Sequence, residues 1–131
     1  MRPSCCMTFS TDEPLHRLGD VLHLVDDGEV TGYGEIARAL GMPRGARAVA
    51  RALASGDHGW DLAAQVIPVG RTRGRAGHKV FIVPELGEGE DSRSAGLARR
   101  AVPFTRDGQD LLIPCRLCLD AGELGERLQW G

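Results

Sequence analysis

Cysteine, histidine and arginine are the side chains through which this sequence could do chemistry, and their spacing sets them apart. The cysteines fall as Cys5-Cys6 and as Cys115-Arg116-Leu117-Cys118. Two such pairs could in principle form a four-thiolate zinc site. Adjacent cysteines make a poor chelate, however, and Cys118 fits better as a small apolar side chain. A nucleophilic thiolate needs a neighbouring base or cation. Ile113-Pro114-Cys115-Arg116 offers a thiol, but no histidine follows His78 in the chain. His16, His23, His58 and His78 are too scattered to argue a metal site. No metal and no cofactor is expected.

Arginine carries the stronger signal. The chain has 15 Arg and a single Lys. Between residues 38 and 79, Arg38, Arg44, Arg47, Arg51, Arg71, Arg73, Arg75 and Lys79 stand against only Asp57 and Asp61. The whole chain has a formal net charge of −2, so acidic flanks enclose this basic block. Such a block is a candidate polyanion-binding face, and the competing reading is an arginine-rich solvated surface.

Several elements must hold these residues. Ser10-Thr11-Asp12-Glu13 has the form of a capping box, and Leu15, Leu18, Val21, Leu22 and Val25 recur at helical spacing, which predicts a helix from Thr11 to Val25. Tyr33 to Leu40 reads as a short helix stopped by Gly41. A third helix is predicted from Pro43 to Ala54, with Ala46, Val49, Ala50 and Leu53 on one side and Arg44, Arg47 and Arg51 on another. Helix, tight turn and arginine-faced helix together describe a helix-turn-helix. Ala63–Val69 and Lys79–Val83 are β-prone runs joined by a basic, glycine-rich loop, which predicts a wing whose arginines reach phosphates. Glu85 to Asp91 reads as an acidic linker, Ser92 to Arg100 as a short helix, and the tail beyond as short turns of strand or helix.

A length of 131 residues and a hydrophobic content of 42% suit one folded domain and exclude a disordered chain. No apolar run is long enough to span a bilayer. The opening MRPSCCMTFS does not read as a secretory signal, so reduced thiols and a cytoplasmic, nucleoid-associated location are expected. Residues 1–9 read as a disordered extension and 10–131 as a single domain, with helix-turn-helix 31–54, wing 63–84, acidic linker 85–91 and tail 92–131. The fold class expected is mainly α with a small β-hairpin wing.

Val30-Thr-Gly-Tyr-Gly-Glu-Ile-Ala-Arg-Ala-Leu-Gly41, followed by Pro43-Arg-Gly-Ala-Arg-Ala-Val49, resembles the alkylguanine-DNA alkyltransferase family, and within it the non-catalytic alkyltransferase-like branch. A looser similarity runs through Arg100-Ala-Val-Pro-Phe-Thr-Arg-Asp-Gly108 to Trp130. The resemblance implies a winged helix-turn-helix that enters the DNA minor groove. It implies that Tyr33 turns the target phosphate, while Arg47 fills the gap left by a flipped nucleotide. Flipping sacrifices stacking, and an inserted guanidinium plane offsets part of that loss.

The departures from the family pattern matter as much. Where the enzymes carry P-C-H-R-V-I, this chain has Leu62-Ala63-Ala64-Gln65-Val66-Ile67, so Ala63 and Ala64 stand at the nucleophile and base positions. The acidic residue expected before Val102 is replaced by Arg100-Ala101. Alkyltransferase-like proteins carry Trp in place of the cysteine, and Trp60 lies three residues early, where a small insertion would bring it into the lesion pocket beside Ala63.

The resulting expectation is a monomeric, non-enzymatic protein that binds double-stranded DNA. Tyr33, Arg44, Arg47, Arg51, Arg71, Arg73, Arg75 and Lys79 would make the contacts, and alkylated guanine would be flagged for nucleotide-excision-repair proteins. The alternatives are a winged-helix regulator without lesion specificity and a thiol alkyltransferase using Cys115.

Overall fold

The computed structural model describes residues 15–55, 58–75 and 77–130. The capping box at Ser10–Glu13, the extension 1–9, and Cys5 and Cys6 lie outside the described residues.

Helix α1 (Leu18–Leu22) buries Leu18, Val21 and Leu22, the i, i+3, i+4 face anticipated from the periodicity, and it ends at Leu22 rather than Val25; residues 11–14 of the expected helix lie outside the described residues. Strand β1 (Val30–Gly32) is buried throughout and runs directly into helix α2 (Tyr33–Ala39). A tight turn leads to helix α3 (Ala46–Ala54). Gly41 makes that turn at φ +82°, a left-handed conformation in which a side chain would be strained. The Met42 amide then donates to the Ala37 carbonyl at 2.7 Å. Pro43 does not open the third helix, because the Gly45 amide closes a turn onto the Met42 carbonyl at 2.8 Å before Ala46.

The remaining elements are α4 (Trp60–Ala64), β2 (Val66–Ile67), β3 (Thr72–Arg73), β4 (Val80–Pro84), a 3-10 turn at Gly89–Asp91, α5 (Arg93–Arg99), β5 (Thr105–Asp107), β6 (Asp110–Pro114), a second 3-10 turn at Cys115–Leu117, β7 (Cys118–Leu119) and α6 (Ala121–Trp130). Ser92 caps α5, its Oγ accepting from the Ala95 amide at 3.1 Å.

The strands form two sheets. In a parallel three-stranded sheet, β1 lies between β2 and β7, with Thr31 opposite both Val66 and Leu119. An antiparallel four-stranded sheet has the order β3-β4-β6-β5. The small parallel sheet divides the core. On one side α1, α2 and α3 pack Leu18, Val21, Leu22, Val25, Ile36, Val49 and Leu53 with Val66 and Leu119. On the other, Val30 and Ile67 join Phe81, Val83, Leu97, Leu111 and Ile113. Successive residues of a strand face opposite ways, so Val66 and Ile67 enter different clusters.

This architecture is mixed α/β, with more strand than a single hairpin. Ala63 and Ala64, expected to open a wing strand, end α4 instead. Val66–Ile67 does not pair with Lys79–Val83; it pairs in parallel with β1, where both of its faces are buried. The hairpin partner of β4 is the exposed pair Thr72–Arg73.

Candidate nucleic-acid interface

Helix α3 separates its faces as its sequence requires. Val49 and Leu53 are buried in the helical core, and Arg44, just before it, together with Arg47 and Arg51, is exposed. Arg71, Arg73, Arg75 and Lys79 are exposed along the β3–β4 hairpin and its loop. Elsewhere, apart from the exposed Arg17 and Arg116, the arginines of the described residues are committed. Arg38 pairs with Glu35, Arg99 with Asp61, Arg100 with Asp27, Arg106 with Glu85, and Arg127 with Glu29 and Asp26. Of the cations expected at the duplex, Arg73 has an acidic partner, Asp107 at 3.0 Å. Among the described residues no ion pair engages Arg44, Arg47, Arg51, Arg71, Arg75 or Lys79. Cations left unpaired and solvated are available to a polyanion.

Beside α3 lies a cavity of about 120 Å³ lined by Tyr33, Ala50, Leu53, Ala54, Trp60, Ala63, Leu86 and Arg93. The fold thus brings Tyr33, Trp60 and Ala63 together, from α2 and α4. Trp60 is held by its edge, Nε1 donating to the Ser92 carbonyl at 2.9 Å. Gly96 allows this close fit of α4 on α5, since a Cβ there would sit 2.6 Å from the Ala64 Cβ and 3.3 Å from Trp60 Nε1. Trp60 and Ala63 therefore line the same cavity.

Five cavity residues escaped sequence reasoning: Ala50 and Leu53, expected only as core, Ala54, expected only to end the third helix, Leu86, assigned to a linker, and Arg93. The signal for Arg93 was present, because Arg93, Gly96 and Leu97 share the i, i+3, i+4 buried face of α5. Its Nη1 donates to the Pro84 carbonyl at 2.5 Å. Burial pulls the guanidinium below the usual arginine range, and the neighbouring Tyr33 hydroxyl and Glu85 carboxylate oppose that shift. Burial also pushes Glu85 up, but bonds from the Ser94 hydroxyl and amide, the Leu86 amide and Arg106 outweigh it and hold the carboxyl below its ordinary value.

The two positions next to Ala63 serve the scaffold. Ala64 is buried under Gly96. Gln65 is fully buried; its Nε2 donates to the Asp26 and Glu29 carbonyls at 2.9 and 3.0 Å, and its Oε1 accepts from Arg100 Nε at 2.8 Å. Gln65 and Arg100 thus answer each other where the family pattern has a basic and an acidic residue.

Cys115 lies apart from these groups. It lines a larger cavity, about 520 Å³, with Gly77, His78, Lys79, Val80, Pro114 and Arg116. Pairing of Val80 with Pro114 brings His78 and Cys115 to this common cavity despite their separation in sequence. Burial nevertheless raises the Cys115 thiol above its ordinary value, with Lys79 countering only part of the shift. Cys118 is pushed up to about 12, chiefly by burial. Both thiols are free, and among the described residues no three His, Cys, Asp or Glu side chains converge as a metal site. Among these residues, too, no helix is long and apolar enough to cross a membrane.

Residues 14–80 match the family described as 6-O-methylguanine DNA methyltransferase, DNA binding domain. No curated protein matches the chain significantly. Among solved structures, the chain is similar to S. pombe Atl1 in complex with damaged DNA containing O6-carboxymethylguanine, with 22% identity and a TM-score of 0.61 over 86% of this chain and 99% of that one. It is likewise similar to S. pombe ATL in complex with DNA, with 24% identity and a TM-score of 0.56 over 88% and 96% of the two chains. At these identities the likeness is one of fold.

Proposed function

The chain belongs to the 6-O-methylguanine DNA methyltransferase DNA-binding-domain family, and from that premise we propose that it is a non-catalytic, alkyltransferase-like sensor of alkylated guanine. One observation carries this reading: a cavity lined by Tyr33, Trp60 and Ala63 adjoins a helix whose arginines are exposed and unpaired. Arg44, Arg47 and Arg51 sit on the minor groove, and the hairpin cations Arg71, Arg73, Arg75 and Lys79 hold phosphates on either side. Tyr33 turns the target phosphate, Arg47 takes the flipped base's place in the stack, and the base enters beside Trp60.

No alkyl group is transferred. The cavity wall offers Ala63 and no thiol, while Cys115 lines a different cavity and burial raises its thiol above the ordinary value. The output of binding is therefore a marked, distorted duplex that nucleotide-excision-repair proteins can find. The S. pombe relative, whose structure contains damaged DNA, supports the same partner for this chain.

Fluorescence anisotropy of a labelled duplex, with and without one O6-alkylguanine, tests the proposal. Tighter binding to the lesion is expected. Equal binding to both duplexes would sink the sensor reading and leave a DNA-binding regulator built on the same scaffold.

A further inference from the structure

The groove of about 520 Å³ beside Cys115 gathers cations that no carboxylate answers. Half-buried Val80, Pro114 and Cys115 line it together with exposed His78, Lys79 and Arg116. No Asp or Glu is among its lining residues, and among the described residues no ion pair engages His78, Lys79 or Arg116. Its two sides are tied together: Val80 pairs with Pro114, and the Cys115 amide donates to the Lys79 carbonyl at 2.9 Å. The hairpin backbone leading to it is closed tightly. The His78 amide donates to the Arg75 carbonyl at 2.8 Å, and a Cβ on Gly74 would sit 2.8 Å from the His78 carbonyl oxygen.

The groove and the Trp60 cavity lie at opposite ends of β4. Val80 opens the strand at the groove, whereas the Pro84 carbonyl at its other end holds Arg93 of the cavity wall. Four strand steps put about 13 Å between these two points.

Like charges gathered around one groove repel one another, a cost that a bound anion removes. Elsewhere on the four-stranded sheet basic side chains meet carboxylates, Arg73 with Asp107 and Arg106 with Glu85, so the bare cations are particular to this end. A phosphodiester suits both halves of the lining, its oxygens the cations and its sugar the apolar Val80 and Pro114. An acidic peptide would meet the same cations. However, Arg71 and Arg75 extend the exposed charge along the same hairpin, which matches the evenly spaced charges of a nucleic-acid backbone.

Resting on the DNA-binding part of the reading above, we propose that this groove seats a backbone phosphate of the bound duplex that flanks the target nucleotide, with Arg116 and His78 joining Lys79 around it. Arg116 is thus a further duplex contact, supplied from the turn after β6 and separate from both the helix-turn-helix and the hairpin.

The test uses an undamaged labelled duplex, followed by anisotropy across a salt series with the wild-type protein, Arg116→Gln and Arg116→Lys. Arg116→Gln is expected to flatten the slope of log Kobs against log salt by about 0.9, the value for one phosphate no longer neutralised, while Arg116→Lys keeps the slope. Cys115 supplies a second readout from inside the groove. Saturating duplex should slow its alkylation by iodoacetamide at about pH 9, followed by peptide mass mapping, by about fivefold. Thymidine monophosphate or polyglutamate at the same concentration of charge should leave that rate unchanged. An unchanged slope in Arg116→Gln, or an unprotected Cys115, overturns the proposal. Equal protection by thymidine monophosphate would make the groove a free-nucleotide site, and equal protection by polyglutamate an acidic-protein site; either result overturns it too. Failure of the sensor reading shows elsewhere, as equal affinity for damaged and plain duplex, and leaves both of these readouts in place.

Discussion

At the scale of single residues, Arg47 and Cys115 are the two side chains whose chemistry decides between the readings. Arg47 is exposed and lies on the solvent side of α3, so its loss removes little from the fold. Arg47→Ala should weaken binding to an alkylated duplex by about tenfold and to a plain duplex by only about threefold, because the flipped state alone needs the inserted guanidinium. Equal losses in parallel titrations would remove its stacking role. Cys115 should react slowly with iodoacetamide at neutral pH, with a rate still climbing above about pH 9, since burial raises its pKa. Cys118, pushed up to about 12, should be slower still. Intact mass after incubation with alkylated oligonucleotide should be unchanged, and a covalent gain on Cys115 would restore the thiol-enzyme reading. Much of this was legible in the sequence: the arginines by their spacing, Tyr33 by the family pattern, and Ala63 by the departure from it. Arg93 was not, because one arginine in a short helix looks solvated until the packing of α5 on α4 is known.

At the scale of elements, close packing and charged ties give the clearest expectations. Gly96→Ala would force a methyl to 2.6 Å from the Ala64 Cβ, so thermal denaturation should show a loss of about 1–3 kcal/mol and a displaced Trp60 fluorescence. Ala101 follows α5 at φ +59°, a left-handed conformation that disfavours a side chain, and Ala101→Gly should stabilise the fold by about 1 kcal/mol. A melt showing no gain would mean that the backbone there is not strained. Helix α6 is tied down by Arg127, whose guanidinium donates to Glu29 at 2.8 and 3.1 Å and to the Leu24 carbonyl at 2.8 Å. That bond, ahead of the opposing effect of burial, holds the Glu29 carboxyl below its ordinary value of 4.5. A depressed carboxylate stabilises the fold above the unfolded pKa and loses that contribution as pH falls through the folded one. The Tm should therefore drop between about pH 5 and pH 3, and Glu29→Gln should start lower and drop less over that range. Helices α2, α3 and α5 were legible from periodicity and stop signals. The parallel sheet was not, because strands of two or three residues carry no alternation and β1 finds its partners far along the chain.

At the scale of the whole molecule, a net charge of −2 conceals a division of labour among arginines. Arg99, Arg100 and Arg127, at the end of α5 and on α6, are neutralised by Asp and Glu, while those on α3 and most of those on the β3–β4 hairpin stay open. DNA affinity should consequently depend steeply on salt. Replacing Arg71, Arg73 and Arg75 with Gln should flatten the slope of log Kobs against log salt by about 0.9 for each phosphate no longer neutralised. An unchanged slope would place the hairpin off the duplex. The same triple variant should keep its ranking of lesion over plain DNA, since the hairpin residues do not line the cavity.

The position of β1 between β2 and β7 also governs how the chain can fold. Its hydrogen bonds join residues 30–32 to 66–67 on one side and to 118–119 on the other, so the strand immediately preceding α2 and α3 is completed last. Loops of that length close slowly, and such non-local pairing sets a high contact order. As the protein leaves the ribosome, α2 and α3 should remain only loosely formed until the segment around Leu119 emerges. Cavity and arginine face then arise together in one cooperative step, and a chain ending at residue 80 should show neither protected amides in β1 nor cooperative unfolding.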